Sequence, residues 1–404
     1  TVVFEGDTNS RISLSNNDGG TSDNTVFGFL AGAALEAGAE DNTLIGDYAG
    51  NAITTADSNV VIGSSAMYQA TIAKQNVAIG YYPMYQVSSA AVDNCVAIGY
   101  IPLGGVLTAD ASGTVAIGAS ALSALTSGAG NTAVGYRSLH ATDDGAKNTA
   151  VGYDSLSSNV GDENTAIGHL AGYDTTGAEN TFIGSSAGTN IGSTSGNVAV
   201  GRYALYNSTG AAQCVAIGLQ AMYSGNATQT GTIAIGKDAL TALTSGARNT
   251  AVGYQALDAE DAGSHSTAIG YQALSAQNND SGANTAVGMQ AGIAVVAGHS
   301  NTFVGSGCGA TIDGGTQNTY IGRDADGAAA RANSTAIGYG TTAQADNSVT
   351  LGNADVTDVY MAQDSGALVH CAGVNFPDTF ANSADVNVLD DYEEGTWTPT
   401  FVIE

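Results

Sequence analysis

The chain has 404 residues, of which 55 are glycine and only 11% are charged, and its 37 acidic residues against 9 basic ones give a net charge of −28. That charge excludes nucleic-acid binding, which depends on Lys and Arg neutralising phosphates, and it disfavours contact with anionic membrane surfaces. The sequence also lacks the long apolar run of a membrane helix, so we expect no membrane insertion. The apolar residues are mainly Ala, Val and Ile, which indicates a thin core of small side chains.

Residues 1–23 form the first predicted segment. They include "RISLSNNDGG", which is typical of a short strand followed by a turn. We interpret this segment as an N-terminal cap or as a joint to a preceding module.

Residues 24–352 form a repeat array in which phrases like "NTAIG" recur. The 20 copies end at Gly28, Gly46, Gly63, Gly80, Gly99, Gly118, Gly135, Gly152, Gly168, Gly184, Gly201, Gly218, Gly236, Gly253, Gly270, Gly288, Gly305, Gly322, Gly338 and Gly352. The mean interval is (352 − 28)/19, or about 17 residues, and single intervals run from 14 to 19 residues. The variation falls in the polar stretch after each phrase, which predicts a loop there.

Within each copy, positions are numbered here from the glycine. Position −1 is always Val, Ile, Leu or Phe, position −3 is Thr, Val or once Ile, and position −2 is mostly Ala. This alternation predicts a short strand with −3 and −1 facing the interior. Position −2 would then face outward, either as an apolar stripe against partner chains or as ordinary surface alanine. Position +2 varies freely and is expected to face water, while +3 and +4 predict a second short strand.

A repeat of about 17 residues is too short for a propeller blade or a helical repeat, and it matches one coil of a parallel β-solenoid. The predicted fold is therefore all-β, with about 20 coils. At a strand spacing of ~4.8 Å the array would be on the order of 95 Å long.

Residues 353–404 lack the repeat. They contain "VTDVYMA", "GALVHCAGVNF" and "TWTPTFVIE", which predict strands in a short C-terminal β region that the end of the chain would truncate.

Three stretches carry a resemblance to known families. Residues 333–353, "NSTAIGYGTTAQADNSVTLGN", resemble the head repeats of YadA-like trimeric adhesins, the "NTAVGYQAL" copies resemble a variant seen in phage tail fibres, and "NVLDDYEEGTWTPTF" resembles a segment common in phage tail-fibre proteins. The resemblance implies a left-handed parallel β-roll assembled as a parallel homotrimer. Most intervals here exceed the 14 residues of the adhesin heads, so the loops are larger.

The resemblance implies a non-enzymatic function: the structural and adhesive shaft of a bacteriophage tail fibre, located in the virion. Expected partners are two copies of the chain, other tail-fibre or baseplate proteins, and a host cell-surface receptor such as a glycan. A YadA-like adhesin on the bacterial cell surface is the alternative, but the chain shows neither a signal peptide nor a membrane-anchor domain. A polysaccharide-degrading tailspike and an ice-binding solenoid are weaker rivals; the latter needs an exposed Thr grid, and Thr at −3 is predicted to point inward.

The candidate site residues are structural or adhesive, and no cofactor is expected. The structural candidates are the glycines that end the repeated phrase, namely Gly118, Gly135, Gly152, Gly168, Gly184, Gly253, Gly270, Gly338 and Gly352. The adhesive candidates are four tyrosines at position +1 whose rings could stack as an exposed aromatic strip that contacts the faces of sugars: Tyr136, Tyr153, Tyr254 and Tyr271. "GSSAG" at 184–188 matches a nucleophile elbow only by chance, because Ser186 is an ordinary +2 residue. The four Cys are interpreted as apolar fillers, the five His as surface residues, and the acidic loops as solvated, with Ca²⁺ binding or a hydrolase carboxylate pair as alternatives.

Overall fold

The computed structural model describes residues 23–87, 91–224, 229–280 and 282–360. The chain divides into two compact units, Thr1–Asp355 and Val356–Glu404. The predicted N-terminal cap, except for its last residue, and the C-terminal β region beyond residue 360 lie outside the described residues. The five described residues of the second unit have no regular secondary structure.

The first unit is a parallel β-solenoid, which confirms the predicted fold class. Each strand pairs in parallel with the next, so that all 20 belong to one sheet. The strands are β1 Thr25–Phe27, β2 Thr43–Ile45, β3 Val60–Ile62, β4 Val77–Tyr81, β5 Val96–Tyr100, β6 Val115–Ile117, β7 Thr132–Val134, β8 Thr149–Val151, β9 Thr165–Ile167, β10 Thr181–Ile183, β11 Val198–Val200, β12 Val215–Ile217, β13 Ile233–Ile235, β14 Thr250–Val252, β15 Thr267–Ile269, β16 Thr285–Val287, β17 Thr302–Val304, β18 Thr319–Ile321, β19 Thr335–Ile337 and β20 Val349–Leu351. A 3₁₀ turn, Ala109–Ala111, lies in a loop. The handedness of the coil stays a prediction from the resemblance.

The motif glycines lie directly above one another along the solenoid. At Gly135 the backbone φ is +136°, and a Cβ there would lie 2.3 Å from the carbonyl oxygen of Gly152 in the next coil. The same close approach recurs from coil to coil, so the glycine is required both by its φ and by the space available. The nine glycines singled out from the sequence all have positive φ, between +78° and +146°.

Each coil contains one strand, so the prediction of two is wrong. The segment after the glycine, positions +1 to +4, is hydrogen-bonded between coils but curls. Arg137 at +2 and Leu139 at +4 have φ values of +53° and +50°, in the left-handed region. Their N–H groups donate to Ala119 O and Ser155 O, at 3.0 Å each. Left-handed residues at every second position cannot continue an extended strand, although neighbouring coils still bond to each other here.

The interior lies on the opposite face of the strand from the one predicted. In β7 the −2 residue Ala133 is fully buried, whereas Thr132 and Val134 on either side are partly exposed. Position −2 therefore faces the interior and positions −3 and −1 face outward. Opposite the strand, Ser138 and Leu139 at +3 and +4 are also fully buried. The coil is so narrow that an alanine on the strand fills the space left by a leucine on the other side.

The core compensates when a larger residue occupies −2. Phe182 is fully buried, and Gly188 takes the +4 position of its coil. A Cβ at Gly188 would lie 2.3 Å from the Phe182 ring, and one at Gly172 in the preceding coil would lie 2.8 Å from it. Phe303 and Gly309 repeat the arrangement, with 2.5 Å between the ring and a Cβ at the glycine. Positions −2 and +4 thus share one fixed volume.

A ladder of buried asparagines at −4 precedes most of the strands. The Oδ1 of Asn164 accepts hydrogen bonds from the N–H and Nδ2 of Asn180, at 3.0 and 3.1 Å. Asn180 receives the same pair from Asn197, at 3.0 and 3.1 Å. The amide of Asn164 also donates to Gly177 O, at 3.0 Å, which fastens the loop of the next coil to the strand. Only a side chain that both donates and accepts can pass such a bond along a column.

Two cysteines interrupt this ladder. Cys95 and Cys214 are buried at −4, and Cys308 is buried at +3, as expected of apolar fillers; Cys371 lies outside the described residues. The N–H of Cys95 still donates to Asn76 Oδ1, at 2.8 Å. The next −4 residue, Thr114, has a buried Oγ1 without a hydrogen-bond partner, and Thr232 after Cys214 repeats this. Burial raises the pKa of all three thiols, for Cys308 to about 12, so they stay protonated.

The shared volume of positions −2 and +4 can be tested by exchanging their residues. Phe182→Ala should cost about 3 to 5 kcal/mol of unfolding free energy because it leaves a cavity. Gly188→Leu alone should also destabilise, since its side chain would enter the ring. The double variant recreates the Ala150/Leu156 pairing found in another coil, and it should be more stable than either single variant in urea unfolding. Additive losses would show that the two positions do not share space.

Candidate interaction surfaces

An extended apolar surface is the outward face of the sheet, formed by positions −3 and −1 of all 20 strands and called here the outer sheet face. Along it, the −1 residues are Ile, Val, Leu or Phe throughout. Ile167, Ile183 and Ile269 are 42%, 40% and 40% exposed, values far above those of core residues. The predicted contact stripe at −2 was thus assigned to the wrong positions, since the residues that could meet a partner are at −3 and −1.

The threonines at −3 point outward as well, contrary to the prediction. Thr132, Thr149, Thr165 and Thr181 follow one another in adjacent strands, and each is partly exposed. The reason given against an ice-binding surface was therefore wrong. However, the second column of this face consists mainly of Ile and Val instead of Thr, so an ice-binding array of paired threonines is not formed.

The aromatic strip singled out from the sequence lies on the surface, at the corner next to the outer sheet face. Tyr136, Tyr153, Tyr254 and Tyr271 are 47%, 47%, 37% and 48% exposed. Tyr136 stacks on Tyr153 with 5.2 Å between ring centroids, and Tyr254 stacks on Tyr271 at 5.3 Å. Because the two pairs are separated by other residues, the strip consists of separate short stacks.

Most ring faces in these stacks are already covered. His169 stacks on the second face of Tyr153, at 5.3 Å. The ammonium group of Lys237 lies over Tyr254, 5.3 Å from the ring centroid, and the Arg323 guanidinium lies over Tyr339, at 5.8 Å. A sugar stacks on the face of an aromatic ring, so covered rings offer only their edges and stabilise the column instead.

A second set of aromatic residues was missed. It extends over the first five coils as a continuous path of neighbouring rings with centroids 4.2 to 5.8 Å apart. Its members are, in order, Phe29, Tyr48, Tyr68, Tyr85, Tyr82, Tyr81 and Tyr100. The path moves between positions +1, +2 and +5. The sequence signal was the recurrence of Tyr at +5, which is visible only when the copies are aligned beyond the motif.

Acidic loops line an open depression of about 560 Å³ with Asp144, Asp162, Glu163 and Glu179 on its walls. Hydrogen bonding with Asp143 raises the pKa of Asp144. Within the described ranges no group of three or more His, Cys, Asp or Glu residues is arranged to hold a metal ion.

Residues 184–188, which match the nucleophile-elbow pattern, have the same backbone geometry as the other copies of the repeat. Ser186 has a φ of +56°, like other +2 residues, but it is buried, so the prediction that position +2 faces water is wrong for this coil. The N–H of Ser186 donates to His169 O in the preceding coil, at 2.8 Å. The segment is thus part of the coil-to-coil hydrogen bonding, and the turn after it leads into another loop.

One buried carboxyl group was not anticipated. Glu260 is fully buried, and its Oε1 accepts hydrogen bonds from the N–H groups of Gly263 and Ala262, at 2.6 and 3.2 Å. Its Oε2 accepts one from Gln277 Nε2, at 2.5 Å. Gln277 in turn accepts from Asn284 Nδ2, at 2.9 Å. Burial raises the pKa of Glu260 above its usual value, and the hydrogen bonds offset only part of that effect.

No protein-family model matches this sequence, and no curated protein matches it at a significant level. Among the described residues, no helix has the length and apolar character needed to cross a bilayer.

Glu260 predicts a specific dependence of stability on pH. A carboxyl group with a raised pKa in the folded state binds its proton more tightly there than in the unfolded chain. Its contribution is therefore most favourable below the usual pKa of glutamate and is lost as the pH rises through the folded-state pKa. Urea unfolding at about pH 4 and about pH 7 should show Glu260→Gln gaining stability relative to the native protein as the pH rises. A constant difference between the two proteins would contradict this.

Proposed function

We propose that the chain is a structural and adhesive fibre shaft, most closely of the phage tail-fibre kind, in which three parallel copies meet through their outer sheet faces. The observation that carries the proposal is the outer sheet face itself. Parallel sheets are normally covered on both sides, and here the interior side is covered by the chain's own second segment while the other side is bare. Large exposed apolar surfaces mark interaction sites in soluble proteins.

The periodicity of this face favours further copies of the same chain as its partner. The Ile/Val column repeats at every strand, so a matching partner needs the same axial spacing over the full length. A parallel copy meets this condition and also places coils of equal length at the same level, although the coils range from 14 to 19 residues. Identical chains repeat their contacts by symmetry. The number three follows from the resemblance to trimeric β-rolls.

The solenoid suits a mechanical role. Its 20 strands, at a spacing of ~4.8 Å, extend for about 90 Å. Adjacent coils bond to each other through the strand and the segment after the glycine, and many also through the asparagine ladder. Such an array resists extension along its axis and projects whatever is attached to its end. Tail-fibre or baseplate proteins and a host receptor would then be its partners, and the virion its location. No enzymatic role is proposed.

A bacterial surface adhesin with a YadA-like head would use the same trimer. The proposal favours the phage fibre because of the "NVLDDYEEGTWTPTF" segment, which resembles tail-fibre sequences.

The mass of the purified protein in solution tests the assembly. A trimer of the 40.0 kDa chain would have a mass near 120 kDa (3 × 40.0) by light scattering. Replacing both Ile183 and Ile217 by Glu should reduce the mass to that of one chain, because six carboxylates would be buried together. As a control, Gln272→Glu, which lies outside the outer sheet face, should leave the mass unchanged. Circular dichroism would verify that the variants keep their β structure.

Two results would overturn the proposed assembly. One is a native mass of 40 kDa, which would leave the outer sheet face without a partner copy. The other is a trimer that tolerates both glutamates, which would place the contact on a different face.

A further inference from the structure

The residues immediately after the motif glycines form a column along the solenoid, called here the +1 column. Rings in adjacent coils of this column stack face to face. The ring centroids of Tyr81 and Tyr100 are 5.3 Å apart, and those of Tyr136 and Tyr153 are 5.2 Å apart. Between these two stacks the column contains a single small residue, Ala119.

Ala119 creates a slot between two tyrosine faces. Tyr100 is the last ring of one stack and Tyr136 is the first ring of the next, so each turns an uncovered face toward the coil of Ala119. In the described ranges this is the one place in the +1 column where two tyrosine faces oppose each other across a single coil. Tyr100 is 54% exposed and Tyr136 is 47% exposed, so the slot is open to solvent.

The width of the slot suits one ring. Two coil steps separate Tyr100 from Tyr136, which at the strand spacing of ~4.8 Å puts their ring centres about 10 Å apart. Carbon–carbon contacts on the two faces of an inserted ring take up roughly 7 to 8 Å of that distance. One six-membered ring can therefore lie between the two tyrosines and contact both.

We propose that this slot binds a pyranose ring of a glycan. A pyranose has apolar C–H faces and a polar edge, and the slot has the complementary arrangement. The tyrosine faces carry the negative part of the ring quadrupole, which attracts C–H groups. The edge is polar because it carries the phenol hydroxyls of both tyrosines.

Ser120 and Arg137 are the chain neighbours of two residues that form the slot. Ser120 follows Ala119 and donates its N–H to Tyr100 O, at 2.9 Å, while Arg137 follows Tyr136 and donates its N–H to Ala119 O, at 3.0 Å. The Arg137 side chain is 36% exposed and lies 3.4 Å from the carboxylate of Asp154. That partner offsets its charge, and the net charge of −28 repels polyanions. A neutral pyranose is therefore the expected ligand.

This inference deepens the proposed adhesive function, on which its biological meaning rests, because it gives the shaft a receptor contact of its own. The geometry of the slot requires only three consecutive coils. Light scattering tests the trimer and sugar binding tests the slot, so the two can fail separately.

Saturation-transfer NMR on the full chain tests the slot, with the methyl glycosides of glucose, galactose, mannose and N-acetylglucosamine as probes. At least one glycoside should receive saturation from the native protein. Ala119→Tyr is the decisive variant: it should join the two stacks into one ladder, keep the fold, and abolish the signal by filling the slot. Tyr136→Ser should also abolish it, while the matched control Tyr271→Ser, in a stack away from the slot, should retain it.

Three results would overturn the proposal. These are the absence of a signal from all four glycosides, a signal that survives Ala119→Tyr, and binding of indole in place of every glycoside. A midpoint of thermal unfolding for Ala119→Tyr that is equal to or higher than that of the native protein would show that the loss of signal does not come from misfolding.

Discussion

The parallel hydrogen bonding between adjacent coils, held in one register over 20 strands, is the constraint on which the rest of this structure depends. Equivalent positions of successive coils lie above one another at the strand spacing, so a residue type that recurs at one position forms a column along the solenoid. A glycine column permits the close approach at the corner, and an asparagine column carries its hydrogen bonds from coil to coil. Where the column changes, as at Cys95, the next coil is left with an unpaired hydroxyl on Thr114.

A narrow interior follows from the same constraint and determines what faces outward. The strand and the segment opposite it lie so close that Ala133 and Leu139 fill the space between them. A coil of this size cannot also enclose the larger Ile and Val side chains at −1, so they lie on the outer sheet face. Small domains bury little of their surface, and a single coil is an extreme case. Association with further copies is the way in which such a chain could bury these residues.

The sequence predicted the number of coils, the parallel stacking and the loop positions, because each depends on the spacing of the glycines. It did not predict which face of the strand is inside, because alternation fixes a period of two but not its phase. The volume of the side chains could have settled the phase: Leu44, Phe182 and Phe303 at −2 each occur with glycine at +4. The second strand was wrong because φ values of +53° at Arg137 and +50° at Leu139 are not encoded by residue type. Likewise the slot at Ala119 depends on which ring faces are covered, which spacing alone does not show.

The most direct test of this account compares two spin labels within one coil, attached at Ile269→Cys and Gln272→Cys in a background with Cys371→Ser. Ile269 lies on the outer sheet face, and Gln272 lies three residues later, past the motif glycine and outside that face. If copies meet through the outer sheet face, pulsed dipolar spectroscopy should give a shorter distance between copies for the label at 269 than for the label at 272. A shorter distance at 272, or no coupling between copies at either site, would contradict the account.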